Sequence, residues 1–445
     1  MGTYFHSVTL DEEKCKGCTN CIKRCPTEAI RVREGKARII EDRCIDCGEC
    51  IRVCPNHAKA ALTDNLERLK DFKYNIALPA PSLYGQFNPD VMPGAVLTAL
   101  TNLGFDDVFE VALAAEAVSR AVRDYIKANV HKKPLISSAC PAVVRLMQVR
   151  FPALLEHVIS LEAPMEVAAR AAKRRKSRET GLTENQIGTF FITPCPAKVT
   201  AVKQPFGETS SVDGTIAISS LYGAILKELE NIEEKPGLQK ASGSGIGWCR
   251  AGGENLAVGR GSLLAVDGIH NVISVLGEIE RGGLNDIEYL EAQACTGGCI
   301  GGPLVVQNPF VARVRIRDLV TKHRRLKSPA DVEELMDYVE FTGPLSPRPV
   351  LKLDDDIAVA ITMMDHLERT VKELPGLDCG SCGSPNCRAL AEDIVRGFAN
   401  ETYCIFKLRE RVQALAEEML ELSQKVPPAM GRMQGDKKTG EGDAV

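Results

Sequence analysis

The sequence has few of the features that mark several common protein classes. Aromatic residues make up 5% of its 445 residues, with a single tryptophan, and the formal net charge is −4. That weak negative balance argues against nucleic acid as a partner. No apolar run reaches the roughly eighteen residues of a membrane span, so no membrane-spanning helix is predicted. Residues 1–10 lack a charged start followed by an apolar run, so no signal peptide is predicted.

Cysteine, by contrast, is present in unusual number and arrangement. Seventeen cysteines occur, an odd count, and they form tight groups rather than disulfide-like spacings. Without an export signal, grouped cysteines favour metal ligands over disulfides. We therefore expect a metal protein of a reducing, anaerobic cytoplasm.

The cysteine groups and a proline-rich break at 343–349 divide the chain into segments. We predict a cluster domain, a large domain, a second cluster domain, an amphipathic helix and a disordered tail, at 1–65, 66–342, 343–405, 406–426 and 427–445. In the large domain, β-rich runs alternate with helical stretches, which indicates an α/β core. The runs are 75–79, 189–193 and 287–292, and the helical stretches are 94–103, 115–128 and 219–231.

Two cysteine runs near the N-terminus share one spacing. Each reads Cys-x2-Cys-x2-Cys-x3-Cys-Pro, beginning at Cys15 and at Cys44. Three such thiolates wrap three corners of an iron–sulfur cube, and the fourth cysteine binds the other cluster. We assign one 4Fe–4S cluster to Cys15, Cys18, Cys21 and Cys54, and the second to Cys44, Cys47, Cys50 and Cys25. Zinc binding and redox disulfides are the alternatives. The pattern resembles the two-cluster domain of bacterial ferredoxins, which implies an α+β fold and low-potential electron transfer.

Four cysteines of the large domain lie in three loops after extended segments: Cys140, Cys195, Cys295 and Cys299. Such loops can bring four thiolates to one point above a sheet. The glycines beside them let the backbone approach a bulky ligand closely. Spacing alone does not specify the cofactor, and four unrelated core cysteines are the alternative.

From about Tyr74 to Phe341 the chain resembles the large subunit of iron-only (FeFe) hydrogenases. The family's Thr-Ser-Cys-Cys-Pro loop is here residues 137–141, Ser-Ser-Ala-Cys-Pro. Its Met-Pro-Cys-x-x-Lys loop is here 193–198, Thr-Pro-Cys-Pro-Ala-Lys, and its Glu-x-Met-Ala-Cys-x-Gly-Gly-Cys loop is here 291–299. Residues 80–82 and 103–109 support the match. The resemblance implies a multidomain α/β protein with an FeFe-hydrogenase-like core.

The resemblance also implies roles for individual residues. Cys140, Cys195, Cys295 and Cys299 match the ligands of the H-cluster cubane, and Cys299 matches the bridge to its diiron subcluster. Lys198 matches the lysine that contacts a cyanide ligand, where a buried ammonium is paired with an anion. A solvated surface lysine is the alternative. Ala80, Pro81 and Ser82 match residues that line the diiron pocket.

The sequence departs from the family at the positions that move protons. The family's proton-shuttling cysteine is Ala139 here, which has no ionisable proton. Two methionines of the diiron site are Thr193 and Gln293, and an acidic pair upstream falls near Ala121 and Val122. This combination resembles the sensory branch of the family, for which we expect slow turnover with retained hydrogen binding.

A third cysteine group lies near the C-terminus, at Cys379, Cys382, Cys387 and Cys404. It resembles the small 4Fe–4S domain of corrinoid iron–sulfur proteins, and zinc is the alternative. The exposed helix after it shows apolar residues at helical spacing, which suggests an output module that reports redox state to a partner. Cys249 has no partner in any group; a buried structural thiol and a redox or ligand role are its two interpretations.

These observations lead to three functional hypotheses. The first is a sensory hydrogenase homologue that holds three 4Fe–4S clusters and an H-cluster, with hydrogen and protons as substrates, a redox partner such as ferredoxin, and a signalling kinase or phosphatase as output partner. The second is a ferredoxin-linked catalytic hydrogenase with an altered proton relay. The third is a non-enzymatic iron–sulfur protein that lacks the diiron subcluster, like hydrogenase-related assembly proteins.

Overall fold

The computed structural model describes residues 4–230, 232–324, 331–341 and 343–425. The predicted tail at 427–445 and the last residue of the predicted helix 406–426 lie outside them. The chain divides into two compact units, Met1–Lys352 and Leu353–Val445. The first two predicted domains therefore lie in one unit. Among the described residues, no helix has the length and hydropathy needed to cross a membrane.

The N-terminal region is an α+β arrangement built around its cysteines. Its elements are β1 (Val8–Leu10), α1 (Asn20–Arg24), β2 (Ile30–Arg33), β3 (Lys36–Ile39), α2 (Glu49–Arg52) and β4 (Lys59–Ala61). Strands β1 and β4 pair antiparallel, as do β2 and β3. The buried hydrophobic cluster of this region is small and includes two of the cysteines themselves; its members are Val8, Cys15, Ile22, Ile30, Ala37, Cys50 and Ala58. This is the predicted ferredoxin-like fold.

The large region alternates strands and helices, as predicted. Its first half comprises β5 (Tyr74–Pro79), α3 (Pro93–Asn102), β6 (Asp107–Val108), α4 (Val111–Ala128), β7 (Leu135–Ile136), α5 (Pro141–Arg150), α6 (Pro164–Thr180), β8 (Ile187–Thr193), α7 (Pro196–Lys203), β9 (Gly214–Ala217) and α8 (Ile218–Leu229). Its second half comprises α9 (Gly243–Gly247), α10 (Gly253–Val258), β10 (Leu263–Asp267), α11 (Ile269–Glu280), β11 (Tyr289–Gln293), α12 (Pro309–Lys322) and α13 (Asp331–Leu335).

Two parallel sheets organise this region. One has the strand order β6-β5-β8-β9 and the other has the order β10-β11-β7. Parallel strands bury both faces, which explains why every residue of β8 is buried. Each sheet has its own hydrophobic cluster. Because ligands bind beyond the carboxyl ends of parallel strands, the loops after β5, β7, β8 and β11 are the expected position of a site.

The second unit is helical in its described part. It contains α14 (Ile357–Glu373), α15 (Cys387–Val395) and α16 (Ile405–Ser423). Helices α14 and α15 pack around a small cluster that includes Leu367, Leu374, Leu390 and Cys404. The predicted amphipathic helix is present as α16, and it begins directly after a cysteine.

Candidate metal centres

The first N-terminal cysteine group surrounds one cavity. Cys15, Cys18, Cys21 and Cys54 all line it, so the fourth cysteine of the second run lies beside the first run. The backbone N–H of Ala37 donates to Cys15 Sγ over 3.4 Å, and the N–H of Ala58 donates to Cys54 Sγ over 3.3 Å. Such N–H groups stabilise the negative charge of metal-bound thiolates.

The second group is completed by the crossing cysteine of the first run. Cys25 lies close enough to Cys44, Cys47 and Cys50 to act on the pKa of each thiol. Burial is the main cause that raises these pKa values, and it brings that of Cys50 to about 12. A thiol in such a place stays protonated unless a cation takes up its charge, and iron is such a cation.

The sulfur spacing argues against a single zinc ion. A tetrahedral Zn–S length of about 2.3 Å places zinc-bound sulfurs roughly 3.8 Å apart. Among the described residues, the one three-ligand group whose ligand atoms all lie within 4.8 Å comprises His6, Cys44 and Asp46. In that group Asp46 Oδ1 already accepts the backbone N–H groups of Ser7 and Val8. All seventeen cysteines lie among the described residues, and none forms a disulfide.

The four cysteines of the large region meet where the two sheets come together. Cys140 follows β7 and Cys195 follows β8, and each is the N-cap of a helix whose first residue is proline. Cys295 follows β11, and Cys299 begins a short 3-10 turn. Burial is the main cause that raises the pKa values of Cys195, Cys295 and Cys299, and the charges of neighbouring cysteines, Cys140 among them, raise these values further, so the four thiols lie near one another. The three loops thus bring these four cysteines together.

Lys198 lies in the first turn of α7, among these sulfurs. Its Nζ donates to Ala139 O over 3.3 Å. Burial alone would lower the pKa of this ammonium, but the four nearby cysteines reverse the effect and hold its pKa above the ordinary value. Lys198 is half-buried and its ammonium lies beside the four thiols, which favours the paired lysine over a solvated surface lysine.

The residues around the sulfurs fit a bound cofactor. Ala80, Pro81 and Ser82 are buried directly after β5. Ser82 Oγ and Gln293 Oε1 are buried and have no hydrogen-bond partner in the protein, so both are available to a group held in the pocket. Gly298 lets the Gln293 side chain pack against the third loop, since a Cβ on Gly298 would overlap Gln293 Oε1.

The residues at the lost proton-relay positions have other partners. Ala121 and Val122 are buried on α4 in the hydrophobic core. Thr193 Oγ1 accepts the N–H of Cys195 over 3.2 Å and donates to the Cys195 carbonyl over 3.1 Å. Thr193 therefore shapes the ligand loop.

A buried acidic cluster, formed by Glu254 and Glu291, lies beside the site, and Glu254 was not predicted from the sequence. Glu254 accepts hydrogen bonds from Tyr289 over 2.5 Å and from Ser137 Oγ over 3.0 Å. Ser137 Oγ in turn accepts the N–H of Ala139. Glu291 accepts two backbone N–H groups at the start of α10. Burial raises the pKa values of both carboxyl groups, and the charge of Glu254 raises that of Glu291 further.

Cys249 is a buried thiol between two loops. Its Sγ donates to Ile246 O over 3.3 Å, and its carbonyl accepts the N–H of Ile300 over 3.2 Å. Burial raises its pKa. These contacts favour the interpretation of Cys249 as a buried structural thiol.

In the second unit, the C-terminal cysteines lie at element ends. Cys387 begins α15 and Cys404 is the N-cap of α16. Cys382, Cys387 and Cys404 belong to the same hydrophobic cluster. The N–H of Cys387 donates to Asp378 Oδ1 over 2.7 Å, which fixes the loop that carries Cys379 and Cys382.

Three family models match the chain. They are the 4Fe–4S dicluster domain at residues 7–55, the C-terminal domain of the iron-only hydrogenase large subunit at 73–262, and a putative Fe–S cluster domain at 374–406. They match the ferredoxin-like region, the first part of the α/β core and the C-terminal cysteine group, respectively.

Individual relatives agree with these matches. The chain is 30% identical to the periplasmic Fe hydrogenase large subunit of Nitratidesulfovibrio vulgaris, over 50% of this chain and 58% of that protein. It is 27% identical to iron hydrogenase 1 of Clostridium pasteurianum, over 66% of this chain and 64% of that protein. The chain therefore spans less than two thirds of the length of both relatives.

A solved structure has the same core fold. An FeFe hydrogenase whose structure describes stepwise H-cluster assembly superposes with a TM-score of 0.50 at 16% identity, covering 62% of this chain and 95% of that one. The three family models in chain order and the curated hydrogenase relatives support an FeFe-hydrogenase-like family for this chain, and the solved structure shows that its core has the same fold.

Proposed function

We propose that this protein binds hydrogen at an H-cluster, activates it slowly and passes the resulting redox state through its other iron–sulfur clusters to a partner. The observation that carries the proposal is the meeting of Cys140, Cys195, Cys295 and Cys299 around the enclosed ammonium of Lys198. In this proposal the four cysteines would hold the H-cluster, with Cys299 as the ligand nearest its diiron part. When bound, the H-cluster supplies the iron centre at which hydrogen is split into protons and electrons.

The chain's own residues hold the anionic part of the cofactor. Lys198 donates to Ala139 O with one of its three N–H bonds, so the others are free to meet a cyanide ligand. Ser82 Oγ and Gln293 Oε1 are two of the buried side-chain atoms that have no hydrogen-bond partner in the described part of the protein. Because an unpaired polar group in a dry pocket is costly, these atoms support a polar ligand beside them.

The N-terminal clusters serve as the electron path to this site. We assign them the crossed ligands predicted from the spacing, with Cys25 and Cys54 exchanged between the two runs. Ile45 and Cys47 pack in the same hydrophobic cluster as Cys140 and Cys195. Ser7 Oγ also donates to Pro196 O over 2.9 Å, which fixes this region to a ligand loop of the core. The second cluster is therefore the one nearer the core.

Slow activation follows from the residue at position 139. An alanine there takes up no proton, so proton transfer to the cofactor lacks the usual acid–base group. Slow turnover of hydrogen with retained hydrogen binding suits a sensor better than a catalytic hydrogenase. The C-terminal cluster, with Cys379, Cys382, Cys387 and Cys404 as proposed ligands, and the exposed α16 form the proposed output towards a kinase or phosphatase.

The external partner on the electron side is a small redox protein such as ferredoxin. We place the protein in a reducing cytoplasm, since its cysteines are grouped as metal ligands and four of them, Cys140, Cys195, Cys295 and Cys299, meet at one enclosed point.

Infrared spectroscopy tests the proposal. The protein is expressed in cells that carry the hydrogenase maturation system, and carbonyl and cyanide bands are measured. We expect bands in the wild type and in Cys249→Ser, and their loss in Cys299→Ser, which removes the proposed bridging ligand. Absence of bands from the matured wild type would refute the H-cluster and favour the non-enzymatic iron–sulfur protein.

The buried acidic cluster favours a second candidate function, a catalytic hydrogenase with a different proton relay. Ser137 Oγ donates to Glu254 over 3.0 Å and accepts the N–H of Ala139 over 3.3 Å, and Lys198 Nζ donates to the carbonyl of the same alanine over 3.3 Å, so the Glu254 carboxyl lies close to the residue that Lys198 contacts. A carboxyl group with a raised pKa is suited to hold and release a proton near neutral pH.

Glu254→Gln tests this relay. If the relay operates, hydrogen evolution by the matured protein falls by about a hundredfold or more, the usual contribution of a positioned acid–base group. Glu166→Gln is the matched control, because Glu166 is also a buried carboxyl with two hydrogen bonds, from Ser210 and Ser211. An unchanged rate in Glu254→Gln, with intact infrared bands, would leave the slow sensor as the better account.

A further inference from the structure

Helix α16 exposes a continuous apolar stripe. Every residue from 408 to 425 is exposed in the part of the chain that the structure describes. Six apolar residues recur at alternating intervals of three and four, which places them on one side of the helix. They are Ile405, Leu408, Val412, Leu415, Met419 and Leu422, and all six are exposed.

The spacing is that of a heptad repeat. Ile405, Val412 and Met419 occupy the a positions, and Leu408, Leu415 and Leu422 occupy the d positions. Two of the three a residues are β-branched and every d residue is leucine. In coiled coils this distribution favours two parallel strands over three or four.

On the other side of α16, polar side chains form hydrogen bonds and ion pairs with one another within the helix. Lys407 forms an ion pair with Glu410 over 3.0 Å, and Gln413 Nε2 donates to Glu417 over 3.0 Å. A helix of 19 residues is only marginally stable alone in water, because most helical stability comes from packing of an apolar face. The stripe is thus the face that requires a partner.

The residues beside the stripe allow pairing with an identical helix. In a parallel pair, each g residue faces the e residue five positions later on the other helix. Arg411 then faces Ala416 of the second copy, and Glu418 faces Ser423 of the second copy. No like charges oppose each other across this pair.

We propose that α16 pairs with α16 of a second copy of this chain as a parallel two-stranded coiled coil. The dimer does not depend on the hydrogen chemistry proposed above. Because Cys404 is the N-cap of α16, a parallel pair brings the two C-terminal cysteine groups to the same end of the coiled coil.

The test measures the mass of the full-length, cluster-loaded protein by light scattering over a wide concentration range. We expect a concentration-dependent shift from 48.3 kDa to twice that mass in the wild type. Leu415→Glu places two carboxylates in the seam and raises the dimer dissociation constant more than about a hundredfold. Leu420→Glu is the matched control, because Leu420 is an exposed leucine of α16 outside the stripe.

An experiment that mixes two variants tests both whether the partner of α16 is a second copy of α16 and whether the two helices are parallel. In a parallel pair, residue 415 faces residue 415, so Leu415→Glu and Leu415→Lys fail to dimerise separately but form a mixed dimer when combined. A monomer at all concentrations, equal dimerisation of Leu415→Glu and wild type, equal loss in Leu420→Glu, or no mixed dimer would each overturn the proposal. Retained cluster absorbance in the variants shows that they are folded.

Discussion

Gly48 offers a direct test of how the ferredoxin-like region is connected to the core. It lies between Cys47 and Cys50 with φ +72°, a conformation that favours glycine. A Cβ on Gly48 would overlap Pro303 Cγ and lie 2.9 Å from Pro196 Cγ. Both prolines belong to the loops that carry Cys195 and Cys299.

We therefore predict two additive costs for Gly48→Ala. Alanine in the left-handed region costs about 1 kcal/mol, and overpacking against two proline rings adds about 1–3 kcal/mol. Gly35→Ala separates the two, because Gly35 has the same φ of +72° and a Cβ there meets nothing within 4 Å. We expect the larger loss in Gly48→Ala, measured as the urea midpoint at which cluster absorbance bleaches.

The functional readout compares two reactions of the matured protein. Hydrogen evolution driven by reduced ferredoxin requires electrons to pass through the N-terminal clusters, whereas exchange between hydrogen gas and heavy water does not. If Gly48→Ala pushes the second cluster away from the core, the first reaction slows and the second is unchanged relative to Gly35→Ala. Equal behaviour of the two variants in both assays would refute the packing argument.

Three further predictions follow from the core. Ala139→Cys restores an ionisable group and should raise hydrogen evolution in the matured protein, by about a hundredfold at the usual value of acid–base catalysis; an unchanged rate with full infrared bands would contradict the lost relay. Lys198→Met removes a cation beside the cubane, so its reduction potential, measured by redox titration, should fall by on the order of 100 mV at an effective dielectric of about 20. Burial raises the pKa of Glu166 from 4.5 to about 6, so the folded state binds this proton more tightly than the unfolded state does. The free energy of unfolding should therefore fall by about 2 kcal/mol as the pH rises from 4.5 to 6 and beyond. Glu166→Gln should remove this pH dependence, which urea titrations at several pH values would measure.

Local sequence patterns were sufficient for much of this structure. The spacing of the N-terminal cysteines was enough to predict which of them lie together, because three thiolates at intervals of three residues can reach one cluster through local backbone geometry alone. The β-rich runs became β5, β8 and β11 because buried parallel strands require nearly continuous apolar sequence.

Contacts between residues far apart in the sequence could not be predicted from local sequence patterns. Glu254 lies 117 residues from Ser137 and 35 from Tyr289, and no local pattern indicates that the fold brings them together. The packing of Gly48 on Pro303 is similar, since a glycine in a cysteine loop has the same sequence signature whether it faces solvent or a neighbouring domain.

The small hydrophobic cluster of the ferredoxin-like region has a consequence for cells short of iron. Seven buried residues, two of them cysteines, are too few to hold such a region without metal, so its folding is coupled to cluster binding. The α/β core has two more extensive hydrophobic clusters, the second of which also includes Ile45 and Cys47, so its folding should depend less on metal. Iron supply would then switch the proposed electron path on or off while the core stays folded.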